Sequence, residues 1–245
     1  MAQYTAEAVV LGVRNWGDAD KMVTLFSRER GQLKAAAFGC RRPRSPLAGG
    51  MQMFHVLELQ LVEGQRIDTV KQCTLHQSFK PLREDLTAMA YGSFVAELAL
   101  ELAPEHMAQP EMFDRLLEIL GAFGSRSSRL VALAAGYQLL GFSGSQLQFS
   151  RCVHCGAEIT GEGFFSLQEG GLLCEGCGQP PLPRLAAGTR TFIRRMEQLD
   201  WQSPPAFSVK KTELLQAEQI LLSYLQQLLG KPLKSLGFIQ QLASV

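Results

Sequence analysis

Four of the six cysteines are spaced for chemistry: Cys152-Val-His-Cys155, eighteen residues, then Cys174-Glu-Gly-Cys177. A C-x2-C pair closes a short knuckle that aims both thiolates at one ion, and two knuckles supply the four ligands of a closed tetrahedral zinc site. Gly156, Gly176 and Gly178 lie in or just after the knuckles, where left-handed backbone turns amide N–H groups toward sulfur. Four thiolates exceed the charge of one divalent cation, so the neighbouring Arg151 is electrostatically welcome. A redox reading needs a single pair that follows a strand and opens a helix, and the doubled pair speaks against it. A catalytic zinc keeps an open position, whereas four thiols give no reason to leave one off. His154 could replace a cysteine, but it lies between the thiols of its knuckle and is expected to face solvent. The expected centre is one structural Zn2+ held by Cys152, Cys155, Cys174 and Cys177. His55, His76 and His106 are isolated, and none joins a Ser or Cys in a nucleophile motif. No catalytic residue is expected.

The second chemical feature is basic. Lys34-Ala-Ala-Ala-Phe-Gly-Cys-Arg41-Arg42-Pro43-Arg44-Ser45-Pro46 places three arginines among four positions, with prolines limiting collapse and Gly39 allowing close backbone approach. Such a loop suits phosphate contacts, and a merely solvated basic loop has the same composition. Trp16 and Phe38 beside this charge could be stacking platforms, although an aromatic in a strand is more often core. Neither a P-loop nor a dinucleotide fingerprint is spelled by the glycines at 121, 124, 136, 141 and 144.

These groups need elements to hold them. From Tyr4 to His76 the apolar residues alternate in five short runs: Val9, Leu11 and Val13; Val23 and Leu25; Leu33, Ala35 and Ala37; Phe54 to Val62; Ile67 to Leu75. Turn chemistry separates them at Asn15-Trp16-Gly17-Asp18, Arg30-Gly31, a long Gly39–Gly50 loop and Glu63-Gly64-Gln65. Five strands of this size fit the OB-fold barrel, whose strand 2–3 face binds oligonucleotides, although SH3-like barrels share the count. After Lys80-Pro81 the period becomes helical. One helix is expected from Pro81 to Leu102, a second from Pro110 to near Gly124, and a third from Arg129 to Leu140 with Gly141 as its stop. The Cys-rich insert follows, with Gly163-Phe-Phe-Ser166 and Gly170-Gly-Leu-Leu173 as two small ribbon strands. Gln179-Pro-Pro-Leu-Pro183 cannot be helical, and two more helices occupy Ala186–Leu199 and Lys211–Leu229. The expected class is α+β: an OB-fold barrel at 1–80, then a helical domain at 81–245 with the zinc-binding insert at about 150–180.

At 245 residues, 46% hydrophobic and 19% charged, the chain has enough apolar surface for a cored fold and is excluded from the disordered class. Its formal charge of +1 argues against wrapping nucleic acid over the whole surface. The sum hides a distribution: residues 1–80 hold 11 basic and 7 acidic side chains, residues 81–150 hold 4 and 8, and the remainder is near balance. The barrel is the basic part. Met1–Glu7 lacks the basic and apolar regions of a secretory signal, and no uncharged apolar run reaches the ~18 residues of a membrane span, so a cytoplasmic protein with no membrane partner is expected.

With this order in hand, the chain resembles the RecO family of bacterial DNA repair proteins over essentially its full length. The resemblance is carried by Asn15-Trp-Gly-Asp-Ala-Asp-Lys21 with Val23-Thr-Leu-Phe26, Glu29-Arg-Gly-Gln-Leu-Lys34, Phe38-Gly-Cys-Arg-Arg-Pro-Arg-Ser45 and Ser78-Phe-Lys-Pro-Leu-Arg-Glu-Asp85. The two CxxC pairs with Gly170-Gly-Leu-Leu-Cys174 between them and Lys231-Pro-Leu-Lys-Ser235 complete it. It implies a non-enzymatic recombination mediator that binds single- and double-stranded DNA and anneals complementary strands. Its implied partners are RecR and the C-terminal tail of single-strand-binding protein, in a pathway that loads the RecA recombinase. It makes Lys34, Arg41, Arg42 and Arg44 the leading DNA contacts, with Arg14 and Lys21 behind them, and the zinc structural. The rival expectation is a zinc-ribbon interaction scaffold or transcription factor without annealing activity.

Overall fold

A computed structural model of the chain describes residues 2–202 and 208–243. In chain order its elements are β1 (Gln3–Trp16), β2 (Asp20–Ser27), β3 (Gly31–Ala37), β4 (His55–Val62), β5 (Asp68–Ser78), α1 (Lys80–Glu84), α2 (Leu86–Leu102), α3 (Pro110–Ala122) and α4 (Ser128–Phe142). They continue as β6 (Gly163–Ser166), β7 (Gly171–Leu173), β8 (Arg184–Leu185), α5 (Ala187–Glu197), α6 (Lys211–Leu229) and α7 (Lys234–Ala243). By packing, the chain forms two compact units, one of residues 1–128 with 234–245 and one of residues 129–233. The expected 1–80/81–245 boundary follows the change from strand to helix, whereas packing groups α1, α2, α3 and α7 with the strands.

In the first unit the five strands close in the order β1-β2-β3-β5-β4, antiparallel except where Ala35 and Ala36 of β3 run parallel to Asp68 and Thr69 of β5. This is the OB-type barrel expected from the five alternating runs. β1 serves two neighbours, β4 through Gln3–Val9 and β2 through Ala8–Trp16, and a register shift between Val10 and Gly12 bends it between them. Val10, Val23, Leu25, Leu33, Leu57, Leu59 and Leu61 fill the interior, with alanines at 6, 8, 35 and 37 where the strands crowd. Phe54, expected to open β4, instead takes φ +63 as a fully buried residue and β4 begins one position later. Its N–H bonds to the Val10 carbonyl at 2.8 Å, which ties that corner to β1.

The loop between β3 and β4 is long but anchored. Cys40, Leu47 and Met51 insert into the barrel core, and successive turns bond Arg42 N–H to the Gly39 carbonyl and Ser45 N–H to the Arg42 carbonyl. Burial pushes the Cys40 and Cys73 thiols up, as befits packed rather than reactive groups.

The single helix expected from Pro81 to Leu102 is two. Asp85 adopts extended geometry (φ −105, ψ 122) and its carboxylate accepts the Ala88 N–H at 2.6 Å, so it caps α2 rather than continuing α1. Such a cap contributes about 1 kcal/mol. α7 was not expected. Glu97 of α2 accepts the N–H groups of Lys234 and Ser235 at 2.9 and 2.8 Å, satisfying the start of α7 from outside its own sequence.

In the second unit α4 is buried continuously from Val131 to Leu140 and runs to Phe142, past the Gly141 stop expected; the left-handed residue is Gly144. A helix buried on all sides must have its polar groups paired, and it does. Gln138 Nε2 donates to the Met196 and Leu199 carbonyls at 3.1 and 2.9 Å while Oε1 accepts Trp201 Nε1–H at 2.8 Å, and the Tyr137 hydroxyl donates to the Ala217 carbonyl at 2.8 Å. Among the described residues no helix is long and apolar enough to cross a membrane.

Glu197, at the end of α5, is a charged group that sits badly in this unit. Burial pushes its carboxyl up to about 7, and its Oε1 is buried without a hydrogen-bond partner. A folded-state value raised above the unfolded one means stability is fully present below the unfolded carboxylate range and is lost as pH rises through about 7. Glu197→Gln is therefore expected to leave the thermal midpoint unchanged at acidic pH and to raise it at pH 8, with ~3–4 kcal/mol as the upper bound. Melting curves of both proteins across that range provide the check.

Candidate metal centre and nucleic-acid interface

The Cys-rich insert folds as a three-stranded sheet in the order β7-β6-β8, the third strand supplied by Arg184–Leu185, beyond the proline run. Phe164, Phe165, Leu172 and Leu173 are all buried, so the sheet is covered on both faces. Both knuckles close with the same hydrogen bond, Gly156 N–H to the Cys152 carbonyl at 2.9 Å and Gly178 N–H to the Cys174 carbonyl at 2.8 Å, although neither Gly176 nor Gly178 takes the left-handed backbone expected of it. Gly156 is left-handed at φ +74, as its place after the first pair requires.

These turns bring the four Sγ atoms within 4.8 Å of one another, with Cys155 and Cys174 Sγ at 3.7 Å. A tetrahedron with metal–sulfur bonds of ~2.3 Å has sulfur–sulfur edges of ~3.8 Å, so the four cysteines could hold one metal ion with little movement. His154 is exposed and outside the cluster, as expected. Burial of Cys152 opposes its ionisation, but the N–H groups of Cys155, Cys174 and His154 turn toward its sulfur and bring it down to about 6. Thiol hydrogen bonds with Cys155 and Cys174 hold Cys177 up at about 12. Without a cation, then, the cluster shares protons; a cation lets all four ionise, and its uptake must release protons.

The basic residues belong to the barrel, and the strand register sorts them. Val23, Leu25, Leu33, Ala35 and Ala37 point inward, so the alternate residues form three rows on the outer face: Gly12, Thr24 and Lys34; Arg14, Met22 and Ala36; Trp16 and Asp20, with Phe38 just past β3. Two loops are stitched together at the open end. Gly39 N–H donates to the Asp20 carboxylate at 2.7 Å, Arg41 N–H to the Ala19 carbonyl at 2.9 Å, and Arg41 Nη1 to the Gly17 carbonyl at 3.4 Å. Arg41, Arg42, Arg44 and Arg14 are exposed, and no ion pair engages them among the described residues. At the other end Phe113 of α3 packs on Phe26, and the segment 105–107 runs along β3.

Two expected contacts are occupied by the protein itself. The Lys21 ammonium donates to the Met51 carbonyl at 2.8 Å and so pins the arginine loop. Lys34 pairs with Glu105 at 3.0 Å, and the lysine in turn holds the Glu105 carboxyl below its usual range. Neither Glu105 nor the anchoring trio Cys40, Leu47 and Met51 carries a local sequence signal; both are long-range partners. Because the Lys34–Glu105 pair is exposed it is weak. Glu105→Gln is expected to tighten DNA binding a few-fold at low salt and to steepen its logarithmic salt dependence by about 0.7 for single strands, as one more cation becomes available to phosphate. Titrations at several salt concentrations measure both.

With this geometry in place, two family models match the chain, "Recombination protein O N terminal" over residues 1–79 and "Recombination protein O C terminal" over residues 83–237. Similar proteins include the DNA repair protein RecO of Symbiobacterium thermophilum, 35% identical with 100% of this chain and 99% of the relative covered. The DNA repair protein RecO of Pelotomaculum thermopropionicum is 32% identical over 98% and 95% of the two chains. That of Desulforamulus reducens is 30% identical over 99% and 96%.

Proposed function

This chain belongs to the RecO family, and from that membership we propose that it is a DNA repair and recombination mediator. It binds single- and double-stranded DNA, anneals complementary strands and, acting with RecR, helps load RecA onto DNA coated by single-strand-binding protein, whose C-terminal tail it contacts. It works in the cytoplasm, at the nucleoid during repair, and is not an enzyme. The observation that supports this reading best is the outer barrel face, where exposed Arg14 and Trp16 share a side of β1 and the exposed Arg41, Arg42 and Arg44 follow exposed Phe38 in the next loop, on an OB-type scaffold.

Annealing asks for no acid, base or nucleophile. Two complementary strands repel through their phosphates, and a surface that neutralises part of that charge while holding both raises their local concentration until bases pair. The arginine loop supplies cations on a base fixed by Cys40, Leu47 and Met51, so little ordering is required on binding. The four-cysteine cluster would hold zinc, for which an all-sulfur tetrahedral donor set is suited, and the ion would stabilise the ribbon.

The deciding experiment is strand annealing by the purified protein at low salt, with naked strands and with strands bound by single-strand-binding protein. Acceleration in both cases is expected. Failure on naked strands would remove the reading and favour the interaction scaffold.

A further inference from the structure

Trp16 and Phe38 are large apolar side chains left in water, 44% and 52% exposed. Both stand at the open end of the outer barrel face, one closing β1 and the other following β3, and their ring centroids lie 5.7 Å apart. The rings are tilted by 46° rather than stacked, so the contact between them leaves each a face to offer. The pair is also held in place. Asp20 receives the Gly39 N–H, Arg41 N–H reaches the Ala19 carbonyl, and Gly39 at φ +65 turns the chain directly after Phe38. Cations flank it, Arg14 two residues before Trp16 on the same face and Arg41 bonded to the Gly17 carbonyl.

We propose that Trp16 and Phe38 form a subsite for an unpaired nucleobase, which stacks on an aromatic face while Arg14 and Arg41 hold the adjoining phosphates. The occupant follows from the surroundings. A fixed aromatic face flanked by guanidinium groups suits a flat, sequence-tolerant apolar group attached to an anionic chain. Duplex DNA keeps its bases stacked inside and can use only the arginines. The subsite therefore adds a preference for single strands that phosphate contacts alone do not give. It rests on the DNA-binding reading above and specifies which part of the DNA is read.

The test compares an oligothymidylate with an abasic oligonucleotide of equal length and charge. Wild-type protein is expected to bind the thymidylate roughly 5- to 150-fold more tightly, the range for stacking one base. Trp16→Ala and Phe38→Ala should each reduce that ratio while leaving abasic binding unchanged. Trp201 is buried at 6% exposure, so emission that changes on adding thymidylate should come from Trp16 and vanish in Trp16→Phe, which keeps a ring and most of the ratio. Equal wild-type affinity for both oligonucleotides would overturn the subsite and leave phosphate binding standing. So would loss of affinity for both in equal measure in a variant whose melting is unchanged. Binding of neither oligonucleotide at low salt would overturn the subsite together with the DNA-binding reading.

Discussion

Chelation of the ion proposed for the four cysteines is expected to release one equivalent of zinc, expose four reactive thiols and melt the ribbon over about residues 150–185. The loss is large because the strands are short, so packing such as that of Phe165 on Phe149 is their main support besides the ion. β6, β7 and β8 comprise four, three and two residues, too few to be stable as a sheet without a cross-link. Structural zinc sites contribute on the order of 10 kcal/mol, which their segment cannot replace. Acid should act in the same direction, because protons compete with the ion for the four thiolates. Metal analysis, thiol titration and limited proteolysis between Arg151 and Arg184 read the three effects. Cys152→Ser should reproduce them in milder form, since Cys152 is the buried member of the cluster.

This experiment also separates the functional readings. The four cysteines lie in residues 129–233, whereas the barrel and its arginines lie in the other compact unit. Single-strand binding by the chelated protein should therefore persist. If it disappears while the barrel remains folded, the ribbon is the contact surface and the scaffold reading gains.

What could be read from sequence divides according to range. The four-cysteine cluster was legible because a knuckle is made by four consecutive residues, and the ribbon strands because they lie between the knuckles. The barrel strands were legible because alternation is local, even where Phe54 departs from it by adopting φ +63. Asp85 was visible as an acid near a helix start; its extended backbone assigned that start to α2 and divided the expected helix. By contrast α7 depends on Glu97, which precedes it by more than 130 residues and caps it. The third ribbon strand is only two residues long and follows prolines, so no periodicity could announce it. The basic loop shows the same limit in the functional site. Its composition suggested phosphate contacts, but sequence could not tell Arg42 and Arg44, which face water, from Lys21, whose ammonium is bound to the Met51 carbonyl.

That last distinction carries the second large effect. Replacing Arg41, Arg42 and Arg44 together with alanine should weaken single-strand binding at ~50 mM salt by on the order of 10²–10³-fold and lower the logarithmic salt slope by about 2, or nearly 3 on duplex. The fold should tolerate the change. All three side chains are exposed, the apolar anchors remain, and only the weak Arg41 bond to the Gly17 carbonyl is removed. Lys21→Ala provides the contrast, because it leaves the Met51 carbonyl without its ammonium partner and frees one end of the loop. Its effect should register as a lower melting temperature, with a salt slope close to wild type. Filter binding or anisotropy over a salt series, with melting curves for each variant, resolves the two patterns. An unchanged slope in the triple variant would mean that the phosphates are held away from this face, and the barrel-centred mechanism would fall with it.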